Sequence, residues 1–331
     1  MLVAIDDPSA VAEARQRAAA IARQVHLDET SAGELAIAVT EAAGNIAKHA
    51  GRGRMLLRAL DGGEAGGVEA IALDQGPGMA SITESMRDGH STVGSPGTGL
   101  GALQRLTRTL EMWSAPGKGT IARFEVWPKA AGARPKSRWA VGAVSVAKPG
   151  EERCGDDWAV IEKSGRMVVF LADGLGHGAA AASAAQAAVT AAIRHAALTP
   201  GEIMDEVHAA LRPTRGAAAA VALLQPDKGL CTYCGIGNIS ASIRSDGATR
   251  HLVSHNGILG HQVRKIQEFQ YPFPANALFV THSDGIGTHW DLASYPGLAM
   301  RHPALIAAAL YRDHSRGRDD ATVVTLRMDR A

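Results

Sequence analysis

Cysteine is rare in this chain, long apolar runs are missing and neither sign of charge dominates. Three cysteines in 331 residues cannot build a disulfide framework. Cys231 and Cys234 form a lone C-x-x-C inside an apolar, strand-like run. Residues three apart on a strand point to opposite faces, so a buried strand pair is expected there and not a zinc or redox site. A formal net charge of +1 gives no broad field for nucleic acid. The longest apolar stretch, 178–192, is mostly alanine and is interrupted by Ser183 and Gln186, which is too weakly hydrophobic for a membrane span. Met1 to Asp7 holds two acids and no basic segment, which argues against a secretory signal. A cytoplasmic protein with no nucleic-acid or membrane partner is expected.

What is present is a folding composition. Hydrophobic residues make up 46% of the chain, and its length suits two domains, each with its own core. An opening helix is predicted from Asp7 as N-cap with Pro8 at the first helical position, running to about Val25. A second is predicted from Ser31, with Glu34 completing a capping box, and continues to Ala50. Segments 54–60 and 67–73 read as strands, 80–98 as a loop, 101–110 as a helix and 119–127 as a closing strand. The basic stretch 129–138 reads as a linker. Beyond it strands follow one another at 139–146, 158–163, 167–172, 217–225, 230–236, 239–244, 277–282 and 321–327. Helical patterns interrupt only at 179–197, 201–212 and 303–312. Without regular crossovers the second half reads as antiparallel α+β. The expected domains are 1–128 and 139–331.

Four weak motifs in the first half share one chemistry. On the helix through 34–50, Leu35, Val39, Ala42 and Ile46 form an apolar stripe, and Glu41, Asn45, Lys48 and His49 a polar one. Asn45 offers an uncharged oxygen to a magnesium ion that keeps its phosphates and water. Glu41, one turn earlier, is placed to orient or deprotonate a nucleophile. The strand ending I-A-L-D-Q-G-P-G-M (71–79) places Asp74 to accept the exocyclic amine of adenine, and Gly76, Gly78 and Met79 let backbone approach a ring. The glycine-rich run Gly97, Thr98, Gly99, Leu100, Gly101 opens onto an amphipathic helix, where free N–H groups and the helix dipole receive phosphates. Thr120 closes the pocket from the next strand.

Taken in this order, residues 5–128 resemble the GHKL ATP-binding fold, and 85–106 resemble the RsbT-type serine kinases of bacterial partner switching. The resemblance implies ATP and magnesium as cofactors, with Asn45 holding the magnesium and Asp74 reading adenine. It implies a serine or threonine of a STAS-domain protein as the phosphate acceptor, with an upstream sensor or anti-sigma factor as a possible further partner.

The second half spaces its aspartates differently. V-V-F-L-A-D-G-L-G-H-G (168–178) ends a buried strand on Asp173, and A-L-F-V-T-H-S-D-G-I-G (277–287) ends another on Asp284. Asp156 and Asp157 lie in 152–158, and Asp319 and Asp320 precede the terminal strand. Asp-Gly is a common hairpin turn, but an alanine-rich helix follows Asp173 where a hairpin would return a strand. Converging carboxylates without cysteine suit magnesium or manganese. Residues 139–329 resemble the metal-dependent PPM-type serine/threonine phosphatases of the SpoIIE branch, RsbX-type in particular. That resemblance implies a PPM αββα sandwich and two Mn²⁺ or Mg²⁺ ions held by Asp156, Asp173, the Gly174 carbonyl, Asp284 and Asp319. Which member of Asp156/Asp157 and of Asp319/Asp320 acts stays open, as does whether the first half transfers phosphate or only senses ATP. Together the two halves imply a bifunctional regulator of STAS-type proteins.

Overall fold

The computed structural model describes residues 1–61, 66–86, 99–129, 137–163 and 165–329. The chain divides into two compact units, Met1–Lys136 with Asp291–Arg312, and Ser137–Trp290 with Asp313–Ala331.

The first unit opens with β1 (Leu2–Ile5), α1 (Ala10–Gln24) and α2 (Glu29–Asn45), which runs into a π-helical turn at Ile46–Ala50. There follow β2 (Gly53–Leu60), β3 (Gly67–Asp74), α3 (Ile82–Ser85), α4 (Gly99–Leu106), β4 (Thr109–Ser114) and β5 (Thr120–Val126). The strands form one antiparallel sheet in the order β1-β2-β3-β5-β4. The apolar stripe of α2 is fully used: Leu35, Val39, Ala42 and Ile46 are buried against Met55, Ala70, Ala72 and Phe124 of the sheet. On the opposite face Trp113 is buried, its Nε1 donating to the Pro296 carbonyl at 2.9 Å. There too Glu69 is 2% exposed and paired with Arg58 and Arg123.

Several local expectations shift. The N-cap of α1 is Ser9 and not Asp7, and the helix starts at Ala10, two residues beyond Pro8; Asp7 Oδ1 instead holds the turn before it, accepting from Ser9 N and Ala10 N. The cap of α2, likewise, is Asp28 and not Ser31: Asp28 Oδ1 accepts from Ser31 N at 2.9 Å and its Oδ2 from Ser31 Oγ at 2.7 Å. A carboxylate three residues upstream takes the donor that a capping box would have used, and Glu34 pairs with Lys129. The helix ends at Asn45 and not at Ala50, the loop at 80–98 contains α3, and 109–110 begin β4 where a helix was expected. Strands β1 and β4 were not anticipated.

The second unit holds two antiparallel five-stranded sheets. One has the order β13-β10-β9-β8-β7 and the other β12-β11-β14-β15-β6. They are built from β6 (Trp139–Val146), β7 (Asp156–Lys163), β8 (Arg166–Gly174), β9 (Ala217–Gln225), β10 (Leu230–Ile236), β11 (Ser240–Ser245), β12 (Ala248–His251), β13 (Phe269–Pro272), β14 (Leu278–His282) and β15 (Ala321–Met328). Helices α5 (Gly178–Arg194) and α6 (Pro200–Leu211) cover the outer face of the first sheet, and a second apolar layer lies between the sheets. The final helix, α7 (Pro303–His314), belongs to the first unit over 303–312.

Cys231 packs in the layer between the sheets and Cys234 in the layer under the helices, on opposite faces as strand parity requires. Burial pushes the Cys231 thiol up to about 12 and the Cys234 thiol to about 11, which leaves both inert at neutral pH. Among the described residues no helix is long and apolar enough to cross a membrane.

Candidate functional site

Each unit carries one candidate site. In the first, a cavity of about 460 Å³ opens between the end of α2, the end of β3 and the start of α4, floored by β4 and β5. Asn45, His49, Asp74, Gly78, Met79, Leu100 and Thr120 line it, with Ala42, Ile46, Leu103, Met112 and Ala122 as an apolar wall. The small and aliphatic side chains of Ala72, Met112 and Ala122 make that wall apolar, which suits an aromatic ring. Glu41, Lys48, Gly76 and Gly101 do not line it, Gly97 and Thr98 lie outside the described residues, and Gly99 is the first residue of α4.

Asp74 is the polar centre of this cavity. Its Oδ1 accepts from Gly76 N at 2.8 Å and from Thr120 N at 3.2 Å, which fixes the carboxylate plane and leaves Oδ2 for a ligand donor. Burial raises its pKa, and the two N–H donors, Arg312 and His49 oppose that rise. The Asp74 carbonyl accepts from Arg312 Nη1 at 2.7 Å. Gly78 has φ +69° and a Cβ there would sit 2.0 Å from the Ala115 carbonyl oxygen, so only glycine lets the loop lie this close. Ser114 ties the floor together: its Oγ accepts from Met79 N at 2.8 Å, donates to the Gly119 carbonyl at 2.9 Å and lies 2.9 Å from Thr120 Oγ1.

The second site is a cluster of carboxylates at one end of the two sheets. Asp156 and Asp173 stand opposite each other in the β7–β8 register. Asp284 follows β14, and Asp319 and Asp320 precede β15. Asp156 Oδ2 accepts from Ser283 Oγ at 2.6 Å, and Ser283 Oγ accepts in turn from Thr322 N at 3.0 Å. Asp284 Oδ2 accepts from Asn238 Nδ2 at 2.7 Å. Asp320 Oδ1 accepts from Lys148 N at 2.9 Å, and Asp319 Oδ1 from Asp320 N at 3.0 Å. Two buried oxygens, Asp156 Oδ1 and Asp320 Oδ2, have no donor at all.

Burial is the largest force on these groups, and like charge adds to it. Asp173 is raised to about 9 by burial and by Asp156, Asp284, Asp319 and Asp320. Asp156 is raised to about 7 by burial, with Asp320 and Asp284 adding to the rise and the Ser283 and Thr322 donors opposing it. Asp284 is raised by burial and by Asp319.

Strand parity separates the adjacent pairs. Asp157 turns its carboxylate back onto its own neighbour, Trp158 N, at 2.8 Å, while Asp156 joins the cluster. Asp320, ranked behind Asp319 in the sequence reading, is 3% exposed and acts on both Asp156 and Asp173. Among the described residues no three acid, histidine or cysteine side chains close into a finished ligand set. Even so, orphaned hard oxygens and mutually raised carboxyls fit divalent cations better than they fit any pairing the chain itself supplies. Gly174 sits where a Cβ would meet the Ala181 carbonyl oxygen at 2.1 Å, so the main chain between Asp173 and α5 is bare and tightly packed. His177 Nδ1 lies 2.5 Å from Glu151 Oε1 at the start of α5.

The family profile described as Stage II sporulation protein E (SpoIIE) matches residues 163–329, half of the chain. The chain belongs to the SpoIIE family. Ahead of the SpoIIE region, the profile described as histidine kinase-like ATPase domain matches residues 5–125. This SpoIIE-family chain is 32% identical over 117 residues to Serine/threonine-protein kinase RsbT of Bacillus subtilis (strain 168), covering 35% of the chain and 88% of RsbT. It is 24% identical over 140 residues to Phosphoserine phosphatase RsbX of the same organism, covering 42% of the chain and 70% of RsbX. Among solved structures, RsbX in complex with magnesium aligns with a TM-score of 0.51 at 21% identity, over 58% of the chain and 96% of RsbX. A chain from the bacterial stressosome aligns with a TM-score of 0.54 at 29% identity, over 58% of the chain and 100% of its own length. The SpoIIE-family protein thus joins a histidine kinase-like ATPase domain to a SpoIIE domain whose fold is that of the PP2C phosphatase domains, in one α+β chain.

Proposed function

We propose that this chain both adds and removes phosphate on serine or threonine of a STAS-domain partner, as a cytoplasmic partner-switching regulator. In the linear reading, residues 1–128 carry the transfer site and 139–331 the hydrolytic site, joined by the 129–138 linker. The observation that carries the proposal is the coexistence of two chemically different sites, an apolar cavity centred on Asp74 and a donor-poor carboxylate cluster centred on Asp173.

In the first site, ATP would supply the transferable phosphoryl group. Asp74 Oδ2 would accept from the adenine amine, the apolar wall of Ala72 and Ala122 would take the ring, and Thr120 would close it. Asn45, on the last turn of α2, offers its amide oxygen toward the phosphates and their magnesium. In the second site, Asp156, Asp173, the Gly174 carbonyl, Asp284 and Asp319 would hold two Mn²⁺ or Mg²⁺ ions, as the magnesium complex of RsbX supports. Such ions lower the pKa of a shared water and neutralise a phosphate. The chain's own share is to aim the carboxylates: Ser283 orients Asp156, Asn238 orients Asp284, and the Asp320 main chain fixes Asp319.

The test uses the full chain, labelled ATP and a purified STAS-domain protein. Asn45→Ala is expected to lose phosphotransfer and keep manganese-dependent dephosphorylation, and Asp173→Ala the reverse. Loss of both activities in either variant would sink the two-site reading.

One observation favours a second reading. Glu41, cast as the base for transfer, does not line the cavity. The first half would then bind ATP as a sensor or an anti-sigma-like docking module for the phosphatase. Tight nucleotide binding without any label reaching STAS proteins would decide for it.

A further inference from the structure

The turn between α6 and β9 is pinned beside the loop that follows Asp173. Thr214 N and Thr214 Oγ1 both donate to the Leu211 carbonyl, at 2.9 and 2.7 Å, and Thr214 Oγ1 accepts from Gly216 N at 3.0 Å. On the other side, Leu175 N donates to the Gly216 carbonyl at 3.0 Å, and Ala217 stands opposite Gly174 in the β8–β9 register. Arg215 lies between these anchors. Its Nη1 is 3.3 Å from the point where a Cβ on Gly176 would project, so the guanidinium lies over the backbone of the 174–178 loop.

An arginine lying over the loop that follows Asp173 would ordinarily pair with an acid. Arg215 does not: no ion pair or hydrogen bond from its side chain to any described residue is present, and the guanidinium is exposed. Glu151, over Gly178 at the far end of that loop, is already engaged with His177, and Asp284 with Asn238. Beside it Leu175 is 49% exposed, a large aliphatic side chain facing solvent on a loop whose glycines keep it close to the sheet. A planar fork of N–H donors and an apolar side chain, both at the loop that follows Asp173, make complementary halves of one recognition surface.

We infer that Arg215 binds the substrate phosphate in the hydrolytic reaction, and that Leu175 receives an apolar residue adjacent to the phosphorylated serine or threonine. This rests on the phosphatase reading above. Arg215 is a binding residue here and takes no part in proton transfer. It binds the phosphate dianion of any phosphoester, and Leu175 supplies the preference for one carried on a protein segment.

Steady-state kinetics with manganese test this, using p-nitrophenyl phosphate, a phosphoserine peptide with leucine next to the phosphoserine, and the same peptide with alanine there. Arg215→Ala is expected to raise KM for all three, and the inhibition constant of inorganic phosphate, by about tenfold or more, the loss of one charge-assisted contact. Its kcat should stay within about threefold, because a binding contact shared by ground and transition states leaves kcat alone. Arg215→Lys should recover part of the loss. Leu175→Ala should erase the preference for the leucine peptide and leave p-nitrophenyl phosphate unchanged. An active Arg215→Ala protein with unaltered KM and phosphate inhibition overturns the Arg215 assignment, as does a fall in kcat alone. An unchanged peptide preference in Leu175→Ala overturns the apolar half. If the wild-type chain hydrolyses none of the three substrates with manganese, the phosphatase reading itself fails.

Discussion

Asp156 and Asp173 are direct cross-strand partners in the β7–β8 ladder, a buried and a half-buried carboxyl opposite each other, with no cationic side chain of the described residues between them. Like charges in that position destabilise a sheet pair. A sequence selected for stability alone would not place them there, and the strain is concentrated where the orphaned oxygens of Asp156 and Asp320 also lie.

This pair sets the pH dependence of the metal-free protein. Asp156 at about 7 and Asp173 at about 9 both titrate above the ordinary 3.8. The folded chain therefore holds more protons than the unfolded chain between those values, and stability falls as pH rises through that window. In chelator, the melting temperature is expected to decline from about pH 5 to about pH 9, and added manganese is expected to restore more of it at the alkaline end. A flat profile in chelator would show that the carboxyls are not mutually raised.

Asp173→Asn removes one charge from the pair and keeps its shape. Without metal, at about pH 8, this variant should melt a few degrees higher than wild type, since a relief of about 1 kcal/mol moves a domain of this size by roughly 2–4 °C. Manganese-dependent hydrolysis should fall by roughly 100-fold or more, because a neutral amide is a poor ligand for a hard cation. Calorimetry and phosphatase assays on one preparation check both. A variant that is less stable and still active would contradict the trade-off.

Most of the fold and both sites could be read from the chain because their signals are local. The apolar stripe of α2, the strands ending on Asp173 and Asp284, and the parity of Cys231 and Cys234 each depend on spacing within a few residues. What escaped depends on partners distant in sequence. β1 is four residues long and is a strand only because Leu2–Ile5 find Gly53–Leu56 of β2. β4 carries Glu111 and Thr109 among its apolar residues, and pairing with β5 overrides a helical pattern there. The choice between Ser31 and Asp28 as a cap turned on a side chain reaching back from the turn before. Asp156 and Asp157 differ only in which face of β7 each one takes, and the register to Asp173 settles that. Asp320 belongs to the cluster through Lys148 N, 172 residues away, which no local pattern announces.

In the nucleotide cavity, Gly78→Ala should be costly out of proportion to its size. The added methyl group would meet the Ala115 carbonyl oxygen at 2.0 Å in a backbone at φ +69°, so the loop must move away from the floor. A loss of roughly 1–3 kcal/mol is expected, with nucleotide binding weakened at least as much because Met79 and Asp74 move with the loop. Fluorescent-nucleotide titration and thermal melting measure the two effects. Metal-dependent phosphatase activity should be unaffected, and if it fell in parallel the sites would not be separable.

The acid limb of stability comes from a different group. Burial alone would raise Glu69, but the charges of Arg58 and Arg123 outweigh it and hold its carboxyl below the ordinary 4.5. Its contribution is thus present above the unfolded value and is lost as pH falls through the folded one, the opposite sign to the Asp156–Asp173 pair. Glu69→Ala would leave Arg123, 6% exposed, with Glu125 as its remaining carboxylate partner, at a cost of about 1–3 kcal/mol. Replacing Arg123 with methionine at the same time should return much of that loss, because a matched apolar pair needs no charge compensation. Denaturant melts of the wild type, Glu69→Ala and Glu69→Ala/Arg123→Met separate the terms. A double variant no more stable than the single one would mean that Arg58 and Glu125, and not the charge of Arg123, govern this face of the sheet.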